Sequence, residues 1–151
     1  MKKTIQVNSL SQMRDLAKHV ISYKRPGFLV CLEGDLGAGK TTFTQFLGEF
    51  LGIEDRINSP TFTILKTYHN DKSLNLYHID AYRLSDDFTD YDIEEYIEGD
   101  GVCVVEWYTN ILDVIPEERL SLEIEWTGET SRRIKLEGSG YYAQIVETIG
   151  D

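Results

Sequence analysis

Along the first half of the chain, short unbroken apolar runs alternate with apolar residues at helical spacing. TIQV at 4–7 predicts a short strand, and Ser9 followed three residues later by Gln12 is a capping signal for a helix. Met13, Leu16, Ala17, Val20 and Ile21 recur at helical spacing and give that helix one apolar face, which Pro26 and Gly27 bring to an end. FLVCLEG at 28–34 is apolar at almost every position, as a strand covered on both faces is. From Thr41 to Leu51 the helical period returns, with Phe43, Phe46, Leu47, Phe50 and Leu51 on one side and Gly52 as the stop.

In the second half, Phe62 to Tyr68 and Leu74 to Asp80 are strand-like runs separated by HNDKS, which predicts a hairpin. A helix within Tyr91 to Ile97 precedes a second highly apolar strand, GVCVVEW at 101–107, and NILDVIP predicts a short helix closed by Pro116. LSLEIEW at 120–126 and RRIKLEG at 132–138 both alternate, as an antiparallel pair with one wet face does. YYAQIVETI at 141–149 fits a strand or a short helix equally well. Two buried-type strands that run into glycine or acidic residues, with helices between them, predict an α/β sandwich on a mixed, partly parallel sheet.

Length and composition bound this picture without sharpening it. A chain of 151 residues and 17.3 kDa is about one domain, 1–151, and 41% hydrophobic with 27% charged residues is ordinary for a globular fold. The net charge of −11 argues against direct, tight binding of nucleic acid. The stretch DDFTDYDIEEYIEGD at 86–100 sharpens that argument, because it holds acidic residues and no basic one. A nucleoside triphosphate stays compatible with such a surface, because backbone N–H groups, one lysine and a metal ion override the global field locally. Cys31 and Cys103 each lie inside an apolar run without a CxxC companion, which predicts buried free thiols. With no apolar run long enough to span a membrane and no signal-peptide pattern, the expected location is the cytoplasm.

The chemistry lies in GDLGAGKTT at 34–42, where Gly34, Gly39, Lys40 and Thr41 complete the phosphate-loop pattern GxxxxGK[ST]. By average residue frequencies the pattern arises by chance in roughly one chain of this length in 200. The setting adds more, because the loop follows an apolar strand and opens an amphipathic helix. Glycines let successive N–H groups point inward, and the helix start offers unpaired donors and its positive dipole end to the same anion. Gly37, Ala38, Gly39, Lys40, Thr41 and Thr42 are thus candidates to hold ATP, with Lys40 reaching the β and γ phosphates, Thr41 offering its hydroxyl to Mg2+ and Thr42 its N–H to the α phosphate. Turnover needs a further Mg2+ anchor and a group that positions water. Glu106 and Asp80 end apolar strands and are the candidates, with solvated strand-end residues as the alternative for each. Thr61 and Thr63, around Asn58-Ser59-Pro60, are candidates for a loop that senses the γ phosphate. His69 and His78 form no metal pair with the cysteines, though His78 is near enough in sequence to orient Asp80.

GDLGAGKTT, SPTFTI and HIDAYR, in that order and followed by the strand ending VVEW, resemble the bacterial TsaE family, also called YjeE, from the N-terminal helix to the terminal hairpin. The resemblance implies a P-loop NTPase-like fold and Mg2+-dependent ATP hydrolysis. It also implies a role beside a TsaD-like threonylcarbamoyl transferase and its TsaB-like companion in modifying adenosine 37 of tRNA, with tRNA met through that complex. It places Lys40 and Thr41 on phosphates and magnesium, Asp80 and Glu106 at the metal and hydrolysis site, and Thr61 near the γ phosphate. It packs Trp107 around the active region and gives Tyr82 and Arg83 a supporting or partner-facing role. Met13 stands where the family often has a threonine, so the adenine-side contacts stay open. A small-molecule kinase is the alternative within enzymes, and a nucleotide-dependent binding switch the alternative outside them, though the guanine-reading NKxD motif is absent.

Overall fold

The computed structural model describes residues 1–35, 37–58, 64–84 and 93–150. Its strands are β1 (Lys2–Val7), β2 (Phe28–Glu33), β3 (Leu65–Tyr68), β4 (Leu76–Asp80), β5 (Val102–Glu106), β6 (Leu120–Trp126) and β7 (Arg132–Gly138). Helices α1 (Leu10–Ile21), α2 (Lys40–Leu51), α3 (Ile93–Ile97) and α4 (Ala143–Glu147) are joined by 3-10 turns at Tyr108–Val114 and Gly140–Tyr142. The strands form one seven-stranded sheet in the order β1-β7-β6-β2-β5-β4-β3. β6, β2, β5 and β4 run parallel, while β7 and β1 on one side and β3 on the other are antiparallel additions. This is the mixed α/β class that the alternation of runs predicts.

Each central element forms for a legible reason. Phe28, Leu29, Val30, Cys31 and Leu32 of β2 are all buried, as are Val102 to Val105 of β5, so both sheet faces at the centre are covered. Burying each such large side chain stabilises the fold by about 1.5–3 kcal/mol, which outweighs the absence of any amphipathic pattern in these strands. Helix α1 starts as its cap predicts, with Ser9 Oγ accepting from Gln12 N–H at 3.1 Å. In return, Gln12 Oε1 accepts from the Asn8 N–H at 2.7 Å, one residue before the cap. Gly52 ends α2 in the left-handed region at φ 90°. α1 and α2 pack side by side, with Arg14 paired to Glu49 at 2.7 Å and lying over the Phe50 ring. That pair is exposed and screened by solvent, so the apolar faces hold the helices together.

The ambiguous C-terminal segment becomes a 3-10 turn followed by α4, and Tyr142 decides it. Its ring lies 5.3 Å from Phe28, and its hydroxyl accepts the Leu29 N–H at 2.8 Å, which requires the chain to turn in. NILDVIP becomes a 3-10 turn bent at Ile111 instead of a regular helix, because Ile111 leaves helical geometry to enter the core. The predicted hairpin is present in its described part, β3 pairing β4 antiparallel. Residues 59–63, which include Ser59, Pro60, Thr61 and Thr63, and residues 85–92 of the acidic stretch lie outside the described residues. Both cysteines are free and buried. Burial pushes the Cys31 thiol up to about 12 and Cys103 well above its ordinary value, so neither is a thiolate at neutral pH.

Candidate functional site

Because β2, β5 and β4 are parallel neighbours, their C-terminal ends share one edge of the sheet, and this edge is where open α/β sheets receive ligands. The three strands end there in Glu33, Glu106 and Asp80. Register pairs Asp80 directly with Glu106, so two carboxylates stand side by side on one face, both nearly buried. The loop from β2 to α2 passes this edge.

The glycines have distinct tasks in that loop. Gly34 sits at φ +147°, and a Cβ there would lie 2.4 Å from the Ile124 carbonyl oxygen of β6. Gly39 caps α2 in a left-handed conformation at φ 116° with no side-chain hydrogen bond to the helix start, which leaves the donors of the first turn open to a ligand. A Gly34→Ala substitution is expected to cost about 2 kcal/mol, since the obstructing atom is backbone and the conformation suits only glycine. Gly37, at φ +81° with open space around its Cβ position, is expected to cost clearly less as alanine. Urea midpoints of the two variants check the order.

Lys40, the first residue of α2, is buried, and its Nζ donates to the Gly34 carbonyl and, at 3.0 Å, to the Asp35 carbonyl. The ammonium also lies 4.3 Å from the centre of the Trp107 ring. Burial pulls the lysine below its ordinary pKa, while the fields of Glu106, Glu33, Asp80 and Asp35 oppose that fall. A cation among carboxylates is thus held by backbone carbonyls that a stronger anionic ligand can replace. Trp107 has a left-handed backbone at φ 59°, and Tyr82 packs against its ring with 4.9 Å between ring centres.

Asp80 Oδ1 accepts the Tyr82 N–H at 2.9 Å, while the Asp80 N–H donates to Ile64 O at 2.7 Å. Glu106 Oε2 is bound to His78 Nε2, and both side chains are buried. His78 therefore touches Glu106, the carboxylate on the neighbouring strand, where its sequence position suggests Asp80. Ala38, buried, offers its carbonyl to Arg132 Nε at 2.7 Å. Gly37 is exposed, and Gly39, Thr41 and Thr42 are half-buried. Thr61 lies outside the described residues.

Sequence reasoning passes over two contributors. Arg132 opens β7 and ties the loop to the far half of the sheet, also donating to the Gly128 and Ser131 carbonyls. Nothing local distinguishes it from Arg133, which faces solvent beside Glu125. Glu33 accepts from both Thr109 N–H and Thr109 Oγ, at 3.3 and 2.7 Å, and so joins the end of β2 to the turn after β5. Its only signal is that it interrupts the apolar run just before the glycines.

A cavity of about 450 Å³ adjoins the loop at Gly39 and Thr42 and is walled by Val7, Met13, Glu129 and Arg132. A larger cleft of about 570 Å³ between β1, α1 and the C-terminal end contains none of the predicted site residues. Among the described residues no three His, Cys, Asp or Glu side chains converge into a metal cage. That donor set still fits Mg2+, which binds through one or two carboxylates and completes its shell with phosphates and water. Thr41, Asp80 and Glu106 are the oxygen donors available here for it.

Fold and site together define an α/β protein with a glycine-rich loop feeding a helix beside paired strand-end carboxylates. The family described as "Threonylcarbamoyl adenosine biosynthesis protein TsaE" matches residues 7–134, and the chain belongs to this family. It is 46% identical over 129 residues to the tRNA threonylcarbamoyladenosine biosynthesis protein TsaE of Bacillus subtilis, covering 85% of this chain and 81% of that one. The protein of the same description from Aquifex aeolicus is 35% identical over 141 residues, with 89% and 95% covered. The crystal structure of Bacillus subtilis YdiB superposes with a TM-score of 0.83 at 38% identity, covering 97% of this chain and 93% of that one.

Proposed function

We propose that this chain is a Mg2+-dependent ATPase that supports a TsaD-like threonylcarbamoyl transferase and its TsaB-like companion in modifying adenosine 37 of tRNA. The observation that carries the reading is the lysine of the glycine loop lying in the field of two nearly buried carboxylates from adjacent parallel strands. Lys40 would exchange its carbonyl partners for phosphate oxygens, and the open N–H groups after Gly39 would take the remaining charge. The cavity beside Gly39 and Thr42 would receive the adenine between apolar Val7 and Met13. Bound Mg2+, held by Thr41 and Asp80 or Glu106, would supply the positive charge that polarises the phosphates. Glu106 would orient the attacking water and accept its proton at the oxygen that His78 does not hold.

The acidic chain would serve a tRNA-modifying assembly without gripping tRNA itself. The family relatives' descriptions support the pathway, and the glycine loop supports ATP as the nucleotide chemistry. Reconstitution with both partner proteins, tRNA and γ-labelled ATP tests it. Phosphate release and modified adenosine are expected together, and both are expected to vanish when the loop lysine is removed. Modification that survives without that lysine, or label transferred to an added acceptor in place of released phosphate, would reject the ATPase reading.

A further inference from the structure

The imidazole of His78 is fully buried in β4, with Nε2 on Glu106 Oε2 and, among the described residues, no hydrogen-bond partner for Nδ1. An ionised carboxylate only accepts, so Nε2 is the donor in this contact. Buried polar atoms are ordinarily partnered, and an apolar side chain at this position would avoid leaving one unpartnered. The sequence thus keeps a half-satisfied polar ring in the interior of the sheet, on the face of β4 between buried Leu76 and the strand-end Asp80. Its one partner is the carboxylate that ends the next strand.

That contact settles how Glu106 presents itself. His78 and Asp80 are two residues apart on β4 and share the face on which Glu106 lies, Asp80 being the direct register partner of Glu106. Two like charges side by side repel, and an unrestrained glutamate has three side-chain torsions by which to swing away. His78 grips Oε2 from the core side, and among the described residues nothing else reaches that carboxylate by a hydrogen bond. Oε1 is the oxygen left for the site.

We propose that His78 is a positioning residue for Glu106, fixing the carboxylate so that one oxygen faces the phosphate-loop edge. The proposal rests on the ATPase reading for its kinetic consequence, though the contact itself does not. Outer partners that orient a functional carboxylate typically contribute about 10- to 100-fold to activity or metal affinity. His78→Leu removes the donor while keeping apolar volume. Its kcat for partner-supported phosphate release is expected to fall about 10- to 100-fold, with KM for ATP within about threefold because the loop is untouched.

His78→Gln, whose amide nitrogen can take the place of Nε2, is expected to recover most of the loss. Adding His78→Leu to a Glu106→Gln background is expected to lower turnover no further, because both changes act through one group. Full kcat in His78→Leu, or independent losses in the double variant, would overturn the proposal. If wild-type protein releases no phosphate even with both partners, the ATPase reading falls and nitrogen-labelled histidine NMR judges the positioning claim alone. A slowly exchanging, hydrogen-bonded Nε2–H signal of His78 that disappears in Glu106→Ala supports it, and the absence of that signal in wild type rejects it.

Discussion

Lys40→Met is expected to weaken binding of Mg-ATP by about a hundredfold while the protein stays folded. Methionine keeps an apolar stem of similar length and removes the charge 4.3 Å from the centre of the Trp107 ring. The lost contact is a charge-assisted hydrogen bond to phosphate in a nearly closed setting, worth up to about 3 kcal/mol. At 1.4 kcal/mol per decade, that is about two decades of affinity.

Folding should suffer less, because the lysine spends its donors on the Gly34 and Asp35 carbonyls and its burial already disfavours the charged form. The opposing loss is the cation among Glu106, Glu33, Asp80 and Asp35, which leaves those carboxylates to repel one another. Calorimetric titration with a non-hydrolysable ATP analogue, alongside a urea melt, separates the two effects. Affinity within threefold of wild type would remove Lys40 from the triphosphate site.

The elements around this lysine were legible because their signals are local. The strand before the loop, the helix after it and the Ser9 cap each follow from residues within one turn or one strand. Local signals also gave Asp80 and Glu106 as strand ends. What they could not give is the parallel register that sets these two residues opposite each other across 26 positions of chain. Strands apolar on both faces carry no alternation, so the face on which His78 points was hidden until neighbouring strands were paired.

The same limit explains Arg132. It holds the Ala38 carbonyl from 94 residues away, through a strand order in which β6 lies beside β2 and β7 beyond it. Alternation correctly paired β6 with β7 but does not say where the pair docks. The C-terminal segment stayed ambiguous between strand and short helix for a related reason: its helix depends on Tyr142 reaching the N–H of Leu29, a contact invisible to any local window. The cap and the glycine loop are therefore readable from sequence here, whereas the contacts that aim the strand-end carboxylates are tertiary.

Glu106→Gln is expected to lower partner-supported ATP turnover about a hundredfold or more with little change in nucleotide affinity. Glutamine has the same shape, and its amide oxygen can still accept from His78 Nε2, so the side chain keeps its place. What it lacks is the negative charge and the ability to take a proton from water, a function that contributes about 10²- to 10⁴-fold in general base catalysis. In the proposed site nucleotide affinity rests on Lys40 and the loop, and neither is altered. Stability has two opposed parts: removing one charge relieves repulsion between Asp80 and Glu106 in a nearly dry setting, and it also takes a carboxylate from the field of the Lys40 ammonium. The variant should thus melt close to wild type while turning over far more slowly, the pattern of a residue kept for activity. Single-turnover phosphate release with saturating Mg-ATP, together with a thermal melt, reads both quantities. Wild-type turnover in this variant would leave Glu106 as a structural strand end, and a large fall in melting temperature would mean its charge supports the fold instead of the reaction.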